Sequence, residues 1–194
     1  MTYFIGNHNI KYAGPVNLIA FVKMIHDWFV EQEWISSPEG SAFPEIYYSH
    51  AKSQPSGQEI WIWWRFHWAP QGNRFYRYLI RLSFHSFRMK EQEMVINNRK
   101  EKMYNGDHQV IITAILETDW TNQWKNHPLL KHFYHVFHTR IQYQDFEKRK
   151  AELHHISQHL QTDIKTFFDT HHFMHHGRPF HPKLGVREEH PVGP

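Results

Sequence analysis

The chain contains no cysteine among its 194 residues. Disulfide frameworks, zinc–thiolate sites, iron–sulfur clusters and thiol catalysis are therefore excluded. That absence also fits a cytoplasmic protein, which is the expected location. No run approaches the roughly 18 apolar residues that a membrane-spanning helix needs, so no membrane role is expected. The opening residues Met1 to His8 lack the basic region and apolar core of a secretory signal, and the chain is read as unprocessed. Glycine is sparse, at 9 residues, and no Gly-rich phosphate loop is present, which removes the P-loop and dinucleotide-binding signatures. No nucleophile elbow surrounds any serine, so no catalytic residue is assigned and no cofactor is implied.

Aromatic side chains are abundant instead: 8 Trp, 9 Tyr and 15 Phe. Large rings serve both cores and binding surfaces. Histidine is the second excess, at 19 residues. The formal charge is +3, and protonating all 19 histidines would take it to +22. Unperturbed histidine titrates near pH ~6.5, so this surface can change character over a narrow range. The plainer reading is compositional drift, since histidines occur in every segment.

Hydrophobic periodicity organises the chain as one α+β domain over residues 1–176, followed by a Pro/Gly-rich tail, 177–194, without periodicity. Tyr3 to Tyr12 reads as a short strand. Gly14-Pro15 then opens a helix, with Pro15 near its first position. Leu18, Phe21, Val22, Ile25 and Phe29 follow helical spacing, and the helix should end near Trp34. Glu45 to Ala51 is a candidate strand. Ile60, Ile62, Trp64, Phe66 and Trp68 alternate without a break, and Tyr76, Tyr78, Ile80, Leu82 and Phe84 do the same. Asn97-Asn98 and Asn105-Gly106 read as hairpin turns. A last strand runs from about Gln109 to Thr118. Short connections of this kind give an antiparallel meander. Two helices follow: one from near Asn126-His127-Pro128 through Leu130, Phe133, Phe137 and Ile141, and one from about Asp145 to Thr170 with Leu153, Ile156, Leu160, Ile164 and Phe167 buried. The element order resembles the helix-grip arrangement, in which a curved sheet wraps a C-terminal helix and a cavity lies between them.

Five sets of residues carry candidate chemistry. The odd positions of the two best strands are Trp61, Trp63, Arg65 and His67, then Arg77, Arg81 and His85, with Arg88 close by. Rings interleaved with guanidiniums suit a protein hot spot or stacked bases. Alternatively the face is structural, with the tryptophans under a helix and the arginines paired to Glu91, Glu93 or Glu117. A charge of only +3 favours a protein partner or a homo-oligomer over nucleic acid, whose binding rests on phosphate neutralisation. The second set is histidine pairs at helical spacing, His155 with His159 and His171 with His175, which can meet one metal ion. A specific site wants three or four ligands. Third, Glu117, Asp119, Trp120 and Trp124 suggest a carboxylate beside tryptophan, or simply a helix cap. Fourth, the even strand residues with Leu153, Ile156 and Leu160 line either a packed core or a pocket for a small hydrophobic ligand. Fifth, the tail spaces Phe180, Leu184 and Arg187 as an arm that can dock on a partner.

The expected function is non-enzymatic macromolecular binding or assembly through the aromatic/Arg face and the arm. A helix-grip binder, or enzyme, for a small hydrophobic ligand is the alternative. A histidine-driven metal or pH responder is a third.

Overall fold

The computed structural model describes residues 1–34, 45–53, 57–70, 75–96, 99–136, 140–141 and 143–175. Five strands form one antiparallel sheet: β1 (Thr2–Val16), β2 (Glu45–Ser53), β3 (Gly57–Trp68), β4 (Tyr76–Ile96) and β5 (Arg99–Thr118). Their order is β1-β5-β4-β3-β2. Strands β2 to β5 are the expected meander, and β1 adds beside β5 at the far edge.

The even positions of β3, β4 and β5 point to one face. Ile60, Ile62, Trp64, Phe66, Tyr78, Ile80, Leu82, Phe84, Val110, Ile112 and Leu116 are all buried there. Helix α1 (Leu18–Glu31) covers the β3–β4 half of this inner face: Phe29 stacks on Phe66 and Phe21 packs against Phe84. Helix α4 (Tyr143–His175) lies across β1 and β5. Its buried stripe is Leu153, Ser157, Leu160, Ile164 and Phe168, at helical spacing. The two helices meet through Phe21 and Phe168, and through a Trp28 indole N–H that donates to Asp163 at 2.7 Å.

Three sequence expectations need correction. Pro15 does not open α1; it sits in β1, paired with Asn105. On an edge strand a missing N–H is tolerated. The helix is capped two residues later by Asn17, whose Oδ1 accepts from the Ile19 and Ala20 amides, each at 3.1 Å. Asn105-Gly106 is not a turn but part of a continuous β5. A Cβ on Gly106 would lie 2.8 Å from the Phe87 carbonyl oxygen and 3.0 Å from Met89 Cα. The glycine therefore permits a close backbone approach at the β4 bulge, where the register shifts between Phe87 and Lys90. The expected second helix begins only at Leu130, as α3 (Leu130–Val136), and a separate short helix that the periodicity does not announce, α2 (Gln123–Asn126), precedes it. His127, in extended conformation ahead of Pro128, separates the two, and its Nδ1 accepts from the Leu129 and Leu130 amides. Ile141 is exposed rather than part of a buried stripe. Residues 97 and 98 lie outside the described residues, between the paired Ile96 and Arg99.

The open face of the sheet as a candidate binding site

Both α1 and α4 pack on the inner face, which leaves the odd positions of β3 and β4 turned to the other side. Trp61, Trp63, Arg65 and His67 are exposed there, the tryptophans at 36% and 42%. Directly opposite on β4 stand His85, Ser83, Arg81 and Leu79, in that order. Seven of the eight anticipated residues thus share one surface, and no described helix covers Trp61 or Trp63.

These residues do not all play the same part. Arg77 is committed to the fold: its guanidinium binds Glu117 at 2.6 Å and lies 4.8 Å above the Trp120 ring. Arg88 sits on the bulge at φ 54, pairs with Asp107 and covers Phe87. Trp61 stacks on His85 with ring centroids 3.5 Å apart. Glu59 ties the two together, accepting from the Trp61 indole at 3.0 Å and bonding His85 Nε2 at 2.8 Å. Those two hydrogen bonds hold the Glu59 carboxyl below its ordinary range. An open cavity of about 310 Å³ adjoins this cluster, lined by Gln58, Glu59, His85, Phe87 and Arg88.

Arg65 and Arg81 are the exception. They are direct cross-strand partners, and neither has an ion pair among the described residues. Like charges placed directly opposite each other destabilise a sheet. His67, beside them, has its pKa lowered by burial first, then by Arg77, Arg65 and Arg81, with Glu117 opposing. The two facing guanidiniums thus stand beside the exposed Trp63 ring.

Two residues of this surface escaped the sequence reading. Tyr47 of β2 extends the aromatic patch, 4.6 Å from Trp63. Glu59, an odd position at the start of β3, belongs to the same face. Parity along β2 and β3 carried both signals.

The other candidate sets are dispersed or outside the described residues. Asp119 caps α2, its two oxygens accepting from the Trp124 and Lys125 amides at 3.1 and 3.0 Å, while Glu117 is taken by Arg77. Both His155 and His159 are exposed on α4, and His159 Nδ1 lies 3.1 Å from Asp163. The side chains of His171 and His175 and the whole arm with Phe180, Leu184 and Arg187 lie outside the described residues. Among the described residues no three His, Asp or Glu side chains converge on one point. No described helix is long and apolar enough to cross a membrane.

No protein-family model matches the chain, and no curated protein sequence matches it.

Proposed function

We propose that this protein is a non-enzymatic binding protein whose open sheet face holds an acidic segment of a protein partner. The observation that carries the reading is the unpaired juxtaposition of Arg65 and Arg81 beside exposed Trp63. An acidic side chain laid between the guanidiniums would relieve their repulsion and gain charge-assisted hydrogen bonds. Neighbouring indoles would supply apolar contact, as aromatic and Arg anchors do at hot spots.

A protein fits better than a nucleic acid. Phosphate binding scales with the number of cations available to neutralise the backbone. Here Arg77 and Arg88 are already matched by Glu117 and Asp107, and Glu59 adds a negative charge to the face. Net charge is only +3. The arm would strengthen the grip on the partner.

A helix-grip pocket for a small ligand has less support. Element order and the placement of α4 across β1 and β5 agree with it. However, Leu153, Leu160 and Ile164 belong to one packed cluster with the sheet, so the side chains that would line the pocket are already in contact with other core groups.

Tryptophan fluorescence of the full chain, titrated with a glutamate-rich peptide and separately with single-stranded RNA, tests the reading. Quenching by the peptide at lower concentration than by RNA is expected. A response to RNA alone, or to neither ligand, ends it.

A further inference from the structure

The sheet has two edges, and they are protected unequally. Exposed edge strands template pairing with another chain, and proteins blunt them with lysine, proline, polar residues or bulges. Strand β1 is blunted in this way. It carries Asn7, Asn9, Lys11 and Pro15, and a register shift between Phe4 and Gly6. Strand β2 is less so: its charged residues stand at its ends, and after an irregularity between Glu45 and Tyr47 the run Tyr47 to Ala51 carries no Asp, Glu, Lys, Arg or proline, with His50 its one histidine. Ile46, Tyr47 and Tyr48 are exposed at 49%, 43% and 56%. Among the described residues no strand pairs with the free edge of β2.

An apolar groove of about 580 Å³ runs along the same edge, between α1 and the inner side of β2. Leu18, Ile19, Val22, Tyr48, Ile60 and Ile62 form its apolar lining, and Lys23, His26 and Glu45 also line it. Ile19 is 78% exposed, on a helix whose opposite side is fully buried. An unpaired strand beside an apolar groove is the arrangement that accepts an added strand.

Charge identifies the strand that fits. Strand β2 carries Glu45 at its beginning and Lys52 near its end, both exposed. An antiparallel copy of β2 brings each Glu45 toward the other's Lys52; a parallel copy sets like against like. A two-fold axis normal to the sheet keeps both inner faces on one side. The two α1 helices then flank the joint, and each groove faces its counterpart. Such an interface is isologous, as in most homodimers. From these features the geometry points to antiparallel pairing of β2 with β2 of a second copy of this chain, joining two five-stranded sheets into one. This does not depend on the acidic-segment reading, because the open faces lie on the other side of the sheet.

Sedimentation velocity on the full chain, with Glu45→Lys, Lys52→Glu and an equimolar mixture of the two, tests the pairing. Circular dichroism verifies that each variant folds. The wild type is expected to dimerise, and each variant alone to dimerise roughly tenfold more weakly, through two repelling junctions. The mixture is expected to recover wild-type affinity, because in the mixed pair both junctions are again oppositely charged. A wild type that stays monomeric up to about 100 µM overturns the inference. So does a dimer that ignores both substitutions, or one that mixing does not rescue. A monomer that binds an extended foreign peptide along β2 also overturns it, assigning the edge to another partner.

Discussion

Ser86 Oγ lies 2.6 Å from His108 Nδ1 in the core of the sheet. The other nitrogen, Nε2, is 3.0 Å from the Gly14 carbonyl oxygen. A carbonyl only accepts, so Nε2 carries the hydrogen, Nδ1 is the acceptor and Ser86 donates. Both side chains are buried. The imidazole is thereby held in one neutral tautomer that bridges β4, β5 and β1.

A pH dependence follows. Burial lowers the His108 pKa, against partial opposition from hydrogen bonds to the Gly14 and Tyr104 backbones. The unfolded value is near 6.5, so between the folded and unfolded values the unfolded chain binds more protons. Stability is then fully present above about pH 6.5 and is lost as pH falls below it. His8 and His67 shift in the same direction, each mainly through burial. Urea midpoints should hold from pH 7.5 to about 6.5 and fall steadily from there to pH 5. His108→Phe should cost about 1–3 kcal/mol at pH 7.5, by stranding Ser86, and should flatten the slope. An unchanged slope in the variant would place the acid sensitivity elsewhere.

Asp119 holds α2 with both carboxylate oxygens while its own backbone stands at φ 50. Asp119→Ala loses the cap and retains the strain. It should destabilise by about 0.5–2 kcal/mol or more in thermal melts. Asp119→Asn should lose less, because Asn keeps an acceptor and tolerates positive φ. Equal losses would show that charge, not capping, is the contribution.

Gly106→Ala tests the close approach of β4 to β5. A methyl group there meets the Phe87 carbonyl and Met89 Cα, both backbone atoms, so a strand has to move. Overpacking of this sort costs typically 1–3 kcal/mol. A neutral effect in denaturant unfolding would mean that the bulge yields more easily than its contacts imply.

The Gly106 case also marks where sequence reading reached its limit. Alternation exposed β3 and β4 correctly because each has one wet and one dry face, so parity alone sorted Trp61, Trp63, Arg65 and His67 from Ile62, Trp64 and Phe66. Asn105-Gly106 misled because a glycine required by a neighbouring strand has the same local signature as one required by a turn. Asn17, the cap of α1, is masked in the sequence by the stronger local signal of Gly14-Pro15 three residues earlier. In α4, Ser157 and Phe168 belong to the buried stripe. The serine is polar in type, yet its hydroxyl is satisfied by the His154 carbonyl and by His8. The site residues were legible as a face, but their pairing was not. That Arg77 is consumed by Glu117 while Arg65 meets Arg81 depends on register, which periodicity leaves open.

The arm can be tested by removal. A chain ending at Gly177 should keep its thermal midpoint, because the residues packed in the described core all precede it, and should bind the acidic peptide more weakly. If the truncated chain binds as well as the full one, the arm has no part in recognition.

The central claim is that Arg65 and Arg81 set the charge preference of the open face. Isothermal titration of the wild type and of Arg65→Glu/Arg81→Glu against one acidic and one basic peptide of equal length tests it directly. The wild type should prefer the acidic peptide, and the double variant should lose that preference by at least about tenfold and favour the basic one. Identical preferences in the two proteins would contradict the claim.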